Sequence, residues 1–462
     1  MQKDHEKTHS AKCRRRRRVF RTFLVVLFVA FVCLRIALKV QIWRGLNAIK
    51  EKGEPLTVEE LNARTGKNTN GPIPQSYRIA VAACESPAEE LRDALSFRFG
   101  PLAHSGEPLP YELRAAIAEY VNNNSKALQH LDVVPPEAAL YFESIDDCND
   151  PAITLHSGFV VYAPTAMQSA ATLLFLRAML KADEGDTCGA VNSLLSALRV
   201  IQSLGTKPTL FGWMDKLGAS SGAISTLRYV VNRADLDAAQ FQQITESLNC
   251  LDPATTRAAF IGERSLVLAR FDAHLEHLSC AYGLWGESPA SRALGQVIAF
   301  FYRQAGLRDM DEAFYLHAMA DAVDGAELSF SGFQRLNKEL GDRADSNSRV
   351  RFLIHNVYTG YYLRRSEFRL QAMLKTAQAV LAIEQYRRFA GTLPDALDDL
   401  VPAYLGAVPS DPFDEKPLRY KKCNPGYIVY SVGEDLTNQG GISQYETENK
   451  HDPHDWPFRV VK

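Results

Sequence analysis

Read for the rhythm of its apolar positions, the chain changes character three times. Phe23 to Leu34 runs without a polar or charged residue apart from the thiol Cys33. That run of about 12 falls short of the ~20 residues that cross hydrocarbon, but Val19 to Val40 offers about 22. Arg21, Arg35 and Lys39 stand near its ends, where long basic side chains can snorkel to the interface. The pattern predicts a transmembrane helix. Beyond it the apolar positions recur every three or four residues: Leu113, Ile117, Tyr120, Val121, Leu128 and Leu131 fall on one helical face. Met167 to Glu184 and Ala190 to Leu204 predict a helical pair, with Gly185-Asp186 as the turn and Asp186 as N-cap. Further helices are expected over about 208–232, 236–249, 253–281, 289–304 and 308–323. Phe159-Val160-Val161-Tyr162 predicts a brief strand between them. After a long helix over 367–389 the period drops to two. Leu418-Arg419-Tyr420, Tyr427 to Val432 and Phe458 to Val461 read as strands.

The expected fold is therefore mainly α. It comprises an N-terminal transmembrane helix, an irregular α-helical array, and a small α+β C-terminal domain with a short antiparallel sheet. The expected divisions are a basic tail over 1–18, the anchor over 19–40, a mostly helical membrane-proximal region over 41–163, the array over 164–365, and the α+β domain over 366–462.

Charge sharpens the first of these. The net charge of -2 conceals an asymmetry: residues 1–50 carry 13 Lys/Arg against 2 Asp/Glu, or +11, which leaves -13 for the remainder. Five arginines, Arg14 to Arg18, abut the apolar run and predict contact with anionic lipid headgroups. The positive side stays inside, so the N-terminus is expected in the cytoplasm and the bulk outside it as a single-pass membrane protein. A cleaved signal peptide would need small residues at a cleavage site, and no A-x-A follows Leu34. A net-negative body offers no basic field for nucleic acid. None of the eight cysteines forms a C-x-x-C pair. Cys188 and Cys280, inside helical patterns, are expected to be small buried apolar residues.

Leu173 through Val191, a helix, a Gly-Asp turn and an Ala-containing helix, resembles a single hairpin of the tetratricopeptide type. The last hundred residues resemble the C-terminal domain of the major pseudopilin of type II secretion. Their shared features are a long helix, Leu393-Pro394, the turn Val408-Pro409-Ser410-Asp411-Pro412-Phe413, the strand end Tyr430-Ser431-Val432-Gly433, and the pair Gly440-Gly441. The chain departs from that family in having some three hundred residues between anchor and domain and no processing site. The layout as a whole resembles a group of uncharacterised envelope proteins of planctomycete-type bacteria. The pseudopilin resemblance implies one ligand, calcium, for which Asp435, Asn438, Asp452 and Asp455 would supply side-chain oxygens. The competing reading is a solvated acidic loop.

Other motifs are weaker. Gly218-Ala219-Ser220-Ser221-Gly222 spells G-x-S-x-G, but its helical surroundings favour small residues at a helix contact over a nucleophile elbow. Asp272, His274, Glu276 and His277 lack a third metal ligand at helical zinc spacing. No P-loop or G-x-G-x-x-G is present. Two function classes remain. The first is a membrane-anchored interaction or scaffold protein of the cell envelope, with an accessory of the secretion apparatus as a variant. The second is a hydrolase-like enzyme drawing on acidic or His residues such as Glu263, His274 and Glu276.

Overall fold

The computed structural model describes residues 2–65, 83–85, 87–92, 101–102, 104–133, 154–156, 159–161, 166–204, 210–251, 256–269, 297, 300–346, 354–447 and 454–462. The chain is mainly α, with a long N-terminal apolar helix, a helical array, and a three-stranded antiparallel sheet near the C-terminus.

The first helix, α1 (Gln2–Glu51), does not stop where its apolar run does. From 19 to 36 its large apolar side chains stand exposed. Beyond that, Ile42 and Ile49 are buried, two turns apart on one face. A short helix, α2 (Val58–Thr65), follows. Its start is a capping pattern: the Thr57 hydroxyl accepts from the Glu60 N–H at 3.2 Å.

The body is built on packed helices. α3 (Tyr111–Asn123) and α4 (Ser125–Asp132) meet at the buried Asn124. A two-stranded ribbon, β1 (Thr154–His156) with β2 (Phe159–Val161), stands where the strand was expected. α5 (Ala166–Asp183) and α6 (Thr187–Leu204) form the expected hairpin, and the Asp186 carboxylate accepts from the Gly189 N–H at 2.9 Å as the N-cap does. Leu173, Leu174, Leu176 and Met179 are buried against Leu194, Leu198 and Ile201. Cys188, at the start of α6, is exposed rather than buried, because it shares the outer face of the helix with Asn192 while Ala190, Val191 and Leu194 face the core. Cys280 lies outside the described residues. α7 (Leu210–Arg233), α8 (Ala238–Asn249), α9 (Thr256–Ala269), α10 (Leu307–Gly325) and α11 (Phe330–Ser346) follow. α8 opens with a reciprocal capping box between Asp237 and Gln240.

α12 (Ile354–Ala390) begins thirteen residues before the expected start and crosses the expected division at 365/366. Leu370, Ala372, Leu374, Ala377, Ala379, Val380 and Leu381 are all buried. Helices cover one face of α12 and the sheet covers another, so buried side chains occupy more than one face, while Arg365, Gln371, Lys375 and Gln378 keep contact with solvent. The sheet runs β3 (Arg419–Lys422), β4 (Tyr427–Ser431), β5 (Trp456–Val460) in that order. Tyr420 opposes Val429, and Val429 opposes Phe458. One apolar core runs from Leu91 to Val460 and joins array and sheet without interruption.

The turn expected at 409–414 is the junction. Asp411, 1% exposed, accepts from the Phe413 N–H (3.0 Å), the Ser431 hydroxyl (2.8 Å) and the Val432 N–H (2.9 Å), and pairs with Arg419 at 2.8 Å. Next to it, the Phe413 ring packs edge-on against Phe330 of α11 and lies near Phe368 of α12.

His104 sits in a second junction, 3.5 Å from the Glu446 carboxylate. Burial, then the neighbouring Arg228, push its imidazole down from 6.5 to about 4, against the pull of Glu446. The unfolded chain takes up this proton near 6.5 and the folded chain resists it until about 4. The contribution of neutral His104 is therefore fully present above about 6.5 and is lost as pH falls toward 4. Melting curves should show a smaller loss of Tm between pH 7 and 5 in His104→Leu than in the wild type.

A groove beside the anchor helix

Beyond its apolar run the buried face of α1 packs on α10, and the two helices run parallel. At the first level Arg35 Nε lies 3.0 Å, and Lys39 Nζ 3.5 Å, from the carboxylate of Asp309, which is 2% exposed. Arg35 also donates to the carbonyls of Arg303 (3.0 Å) and Gln304 (3.2 Å). Gly306 precedes α10 at φ 79; a Cβ there would stand 2.6 Å from the Arg35 Cδ, so glycine fits both the backbone and the space. At the second level Gly45 lets the helices approach, with Leu316 Cβ 3.4 Å from where its own Cβ would be. At the third level Lys52 pairs with Asp324 at 2.7 Å.

Just past the end of α1, Glu54 closes the contact. It accepts from Arg257 (2.6 Å) and from Arg264 (2.9 Å), whose guanidinium is almost wholly enclosed. The Ser265 hydroxyl donates to the carbonyl of Pro55 at 2.9 Å. α1 is thus fastened at both ends of its contact with the body.

Between α1 and α10 lies a hollow of about 650 Å³. Leu38, Ile49, Leu316 and Val323 supply apolar wall, and Arg44 and His317 add polar groups. A volume and lining of this kind suit an amphipathic guest. Two acidic groups near this region are displaced toward neutrality. Burial raises Asp311 to about 7, and it raises Glu263 to about 7 against a hydrogen bond from the Leu210 N–H. Neither belongs to the lining of the hollow. Sequence reasoning named Glu263 but missed Asp309, Asp311 and Glu54. Asp309 and Glu54 act through residues far along the chain, and Asp311 accepts from Tyr302 nine residues earlier; no motif spacing marks any of them.

The proposed calcium loop folds on itself. Asp435 accepts from the Thr437 N–H (3.1 Å) and the Gln439 side chain (2.6 Å). Asn438 accepts from the Tyr430 hydroxyl (3.0 Å) and the Gly440 N–H (2.9 Å). Asp455, 1% exposed, accepts from the N–H groups of Gly441 (2.7 Å) and Gln439 (3.4 Å), and burial raises its carboxyl. The structure thus brings Asp435, Asn438 and Asp455 to one loop. Asp452 lies outside the described residues. No three acidic, His or Cys side chains among the described residues converge on a point that could hold a metal. Among the described residues these oxygens accept from donors within the loop and from Tyr430. If the loop takes calcium, millimolar calcium should raise the Tm of the solubilised chain and chelator should reverse the rise; an unchanged Tm would rule the cation out.

Gly218 to Gly222 lies within α7, and Ser220 is buried. A Cβ on Gly222 would stand 2.7 Å from the Phe175 ring of α5, so Gly222 serves a close helix contact, while Gly218 has open space around it. Asp272, His274, Glu276 and His277 lie outside the described residues. Cys33, Cys84, Cys188, Cys250 and Cys423 are free thiols. Comparison with known proteins finds no protein family, no curated sequence and no solved structure that matches this chain.

Proposed function

We propose that this protein is a membrane-anchored interaction protein of the cell envelope, whose body is held at the bilayer by α1 and offers the groove beside it to a partner. One observation carries the reading. Among the described residues a single helix is long and apolar enough to span a membrane, with none of its most apolar window buried, and the same helix continues into the packing of the body. An apolar surface left open along one half of a helix whose other half is packed calls for a hydrocarbon solvent. In this reading Arg14 to Arg18 face anionic headgroups on the cytoplasmic side, and the body lies on the opposite, extracytoplasmic side. The pseudopilin-like end and the tetratricopeptide-like hairpin support an accessory role in an envelope assembly by analogy of sequence alone. The partner is a protein, since the groove pairs apolar walls with Arg44 and His317.

A hydrolase reading draws on the two carboxyls near neutrality, Glu263 and Asp311. Their absence from the lining of the hollow disfavours it.

The test is affinity capture of the tagged full-length chain from detergent-solubilised membranes. Envelope or secretion components should be recovered, and their yield should fall when His317→Glu puts negative charge on an exposed residue of the groove lining. Reproducible absence of a partner would contradict the reading.

A further inference from the structure

We infer that the body does not hang from the membrane on a free tether but is seated in it. The end of the body around Val297, Phe300, Phe301 and Leu307 lies in the bilayer interface beside α1. This rests on the anchor reading above and goes beyond it.

The depth of the helix carries the argument. The exposed apolar surface of α1 runs from residue 19 to residue 36, with Arg21 and Arg35 near its ends, and has 18 residues. At 1.5 Å per residue that is about 27 Å, short of the roughly 30 Å of hydrocarbon. The arginine block blocks extension toward the N-terminus, so the missing length must come from residues after 36. About two more residues carry the hydrocarbon boundary to Leu38. At that level α1 is already in contact with the body. Arg35 is bound to the carbonyls of Arg303 and Gln304, and Arg35 and Lys39 both meet Asp309. The pairing accounts for basic side chains at this depth, because charges near hydrocarbon are found paired.

The same level carries exposed aromatic surface. Phe300 is 56% exposed and Phe301 65%, on the helical residues 300–304 that end at Arg35, and on α1 Trp43 is 62% exposed. A hollow of about 600 Å³ joins Phe31, Val32 and Ile36 of the open run to Gln304 of the body. Trp43 matches the belt that Trp and Tyr form at the headgroup level, and the exposed Phe300 and Phe301 beside the spanning helix suit the apolar face of a segment lying in the interface. The occupant of this surface is therefore lipid, continuous with the lipid around the anchor.

The test places the photo-crosslinking residue p-benzoylphenylalanine at one site at a time in the full-length chain, reconstituted in bilayers of phosphatidylcholine and phosphatidylglycerol with alkyne-bearing acyl chains. Phe28, 67% exposed in the middle of the open run, is the reference for hydrocarbon, and Phe389, 87% exposed at the end of α12, is the reference for water. Position 301 should give a lipid adduct at a yield comparable with position 28, with none at position 389. An adduct at 28 without one at 301 overturns the seated body and leaves the anchor intact. No adduct at either 28 or 301 overturns both. Phe301→Ser in a chain probed at position 300 should lower the adduct without abolishing it, which a chain that had merely misfolded would not reproduce at position 28.

Discussion

Glu54→Ala is expected to cost about 3–5 kcal/mol of folding stability and to loosen α1 from the body. Glu54 is 8% exposed and is the carboxylate that both Arg257 and Arg264 reach. Arg257 keeps a second acid, Glu327 at 3.2 Å, and water. Arg264 is 1% exposed, and Glu54 is its ion-pair partner. Removing the carboxylate strands a guanidinium in a low-dielectric site, where an uncompensated charge is far dearer than a lost surface pair. Glu54→Gln keeps the acceptor and should cost less. Combining Glu54→Leu with Arg264→Met should recover much of the loss, since a buried pair replaced by apolar side chains of similar volume is often neutral. Denaturant unfolding of the solubilised chain measures all three. Equal midpoints for wild type and Glu54→Ala would show that the clamp contributes nothing.

Asp411→Ala is expected to have an effect of similar size at the other end of the molecule, about 3–5 kcal/mol. Its carboxylate satisfies two backbone N–H groups, a hydroxyl and the Arg419 guanidinium within a turn that is itself buried. Alanine leaves those donors dry, and each buried unsatisfied donor costs about 1–3 kcal/mol. Asp411→Asn retains part of the set, because the amide oxygen still accepts while the amide nitrogen faces donors. It should fall between wild type and alanine. Because Phe413 packs on Phe330 and Phe368, loss of the turn should spread to the helical body rather than melt the sheet alone. A single unfolding transition shifted to lower denaturant is the expected result. Two separate transitions in Asp411→Ala would mean that sheet and helices unfold independently.

The parts of this fold that local pattern encodes were open to the sequence. The uncharged run after the arginine block marked the exposed half of α1, the Gly185-Asp186 turn marked the α5–α6 hairpin, and a β-branched and aromatic run marked β4. Each depends on neighbours within a few residues. What the sequence hid depends on partners far along the chain. Arg35 and Lys39 looked like snorkelling ends of a membrane helix; their carboxylate, Asp309, lies 270 residues from Lys39. Ile42 and Ile49 fell in the stretch expected to be helical and membrane-proximal, but their partner Leu316 lies far along the chain and no local spacing points to it. The division at 365/366 followed a change of rhythm, yet α12 serves both sides of it, and periodicity reports an element's faces but not what covers them. Cys188 fell on the wrong side for the same reason. The turn at 409–414 was visible as a Pro-Asp cluster, but the burial of Asp411 beneath the β4 strand end was not.

The claim beneath all of this is that the open half of α1 sits in hydrocarbon while its other half is part of the body. Alkaline carbonate extraction of membranes from cells making the full-length chain tests it most directly. The account predicts that the intact chain stays with the membrane pellet at high pH. Recovery of the intact chain in the supernatant would contradict it.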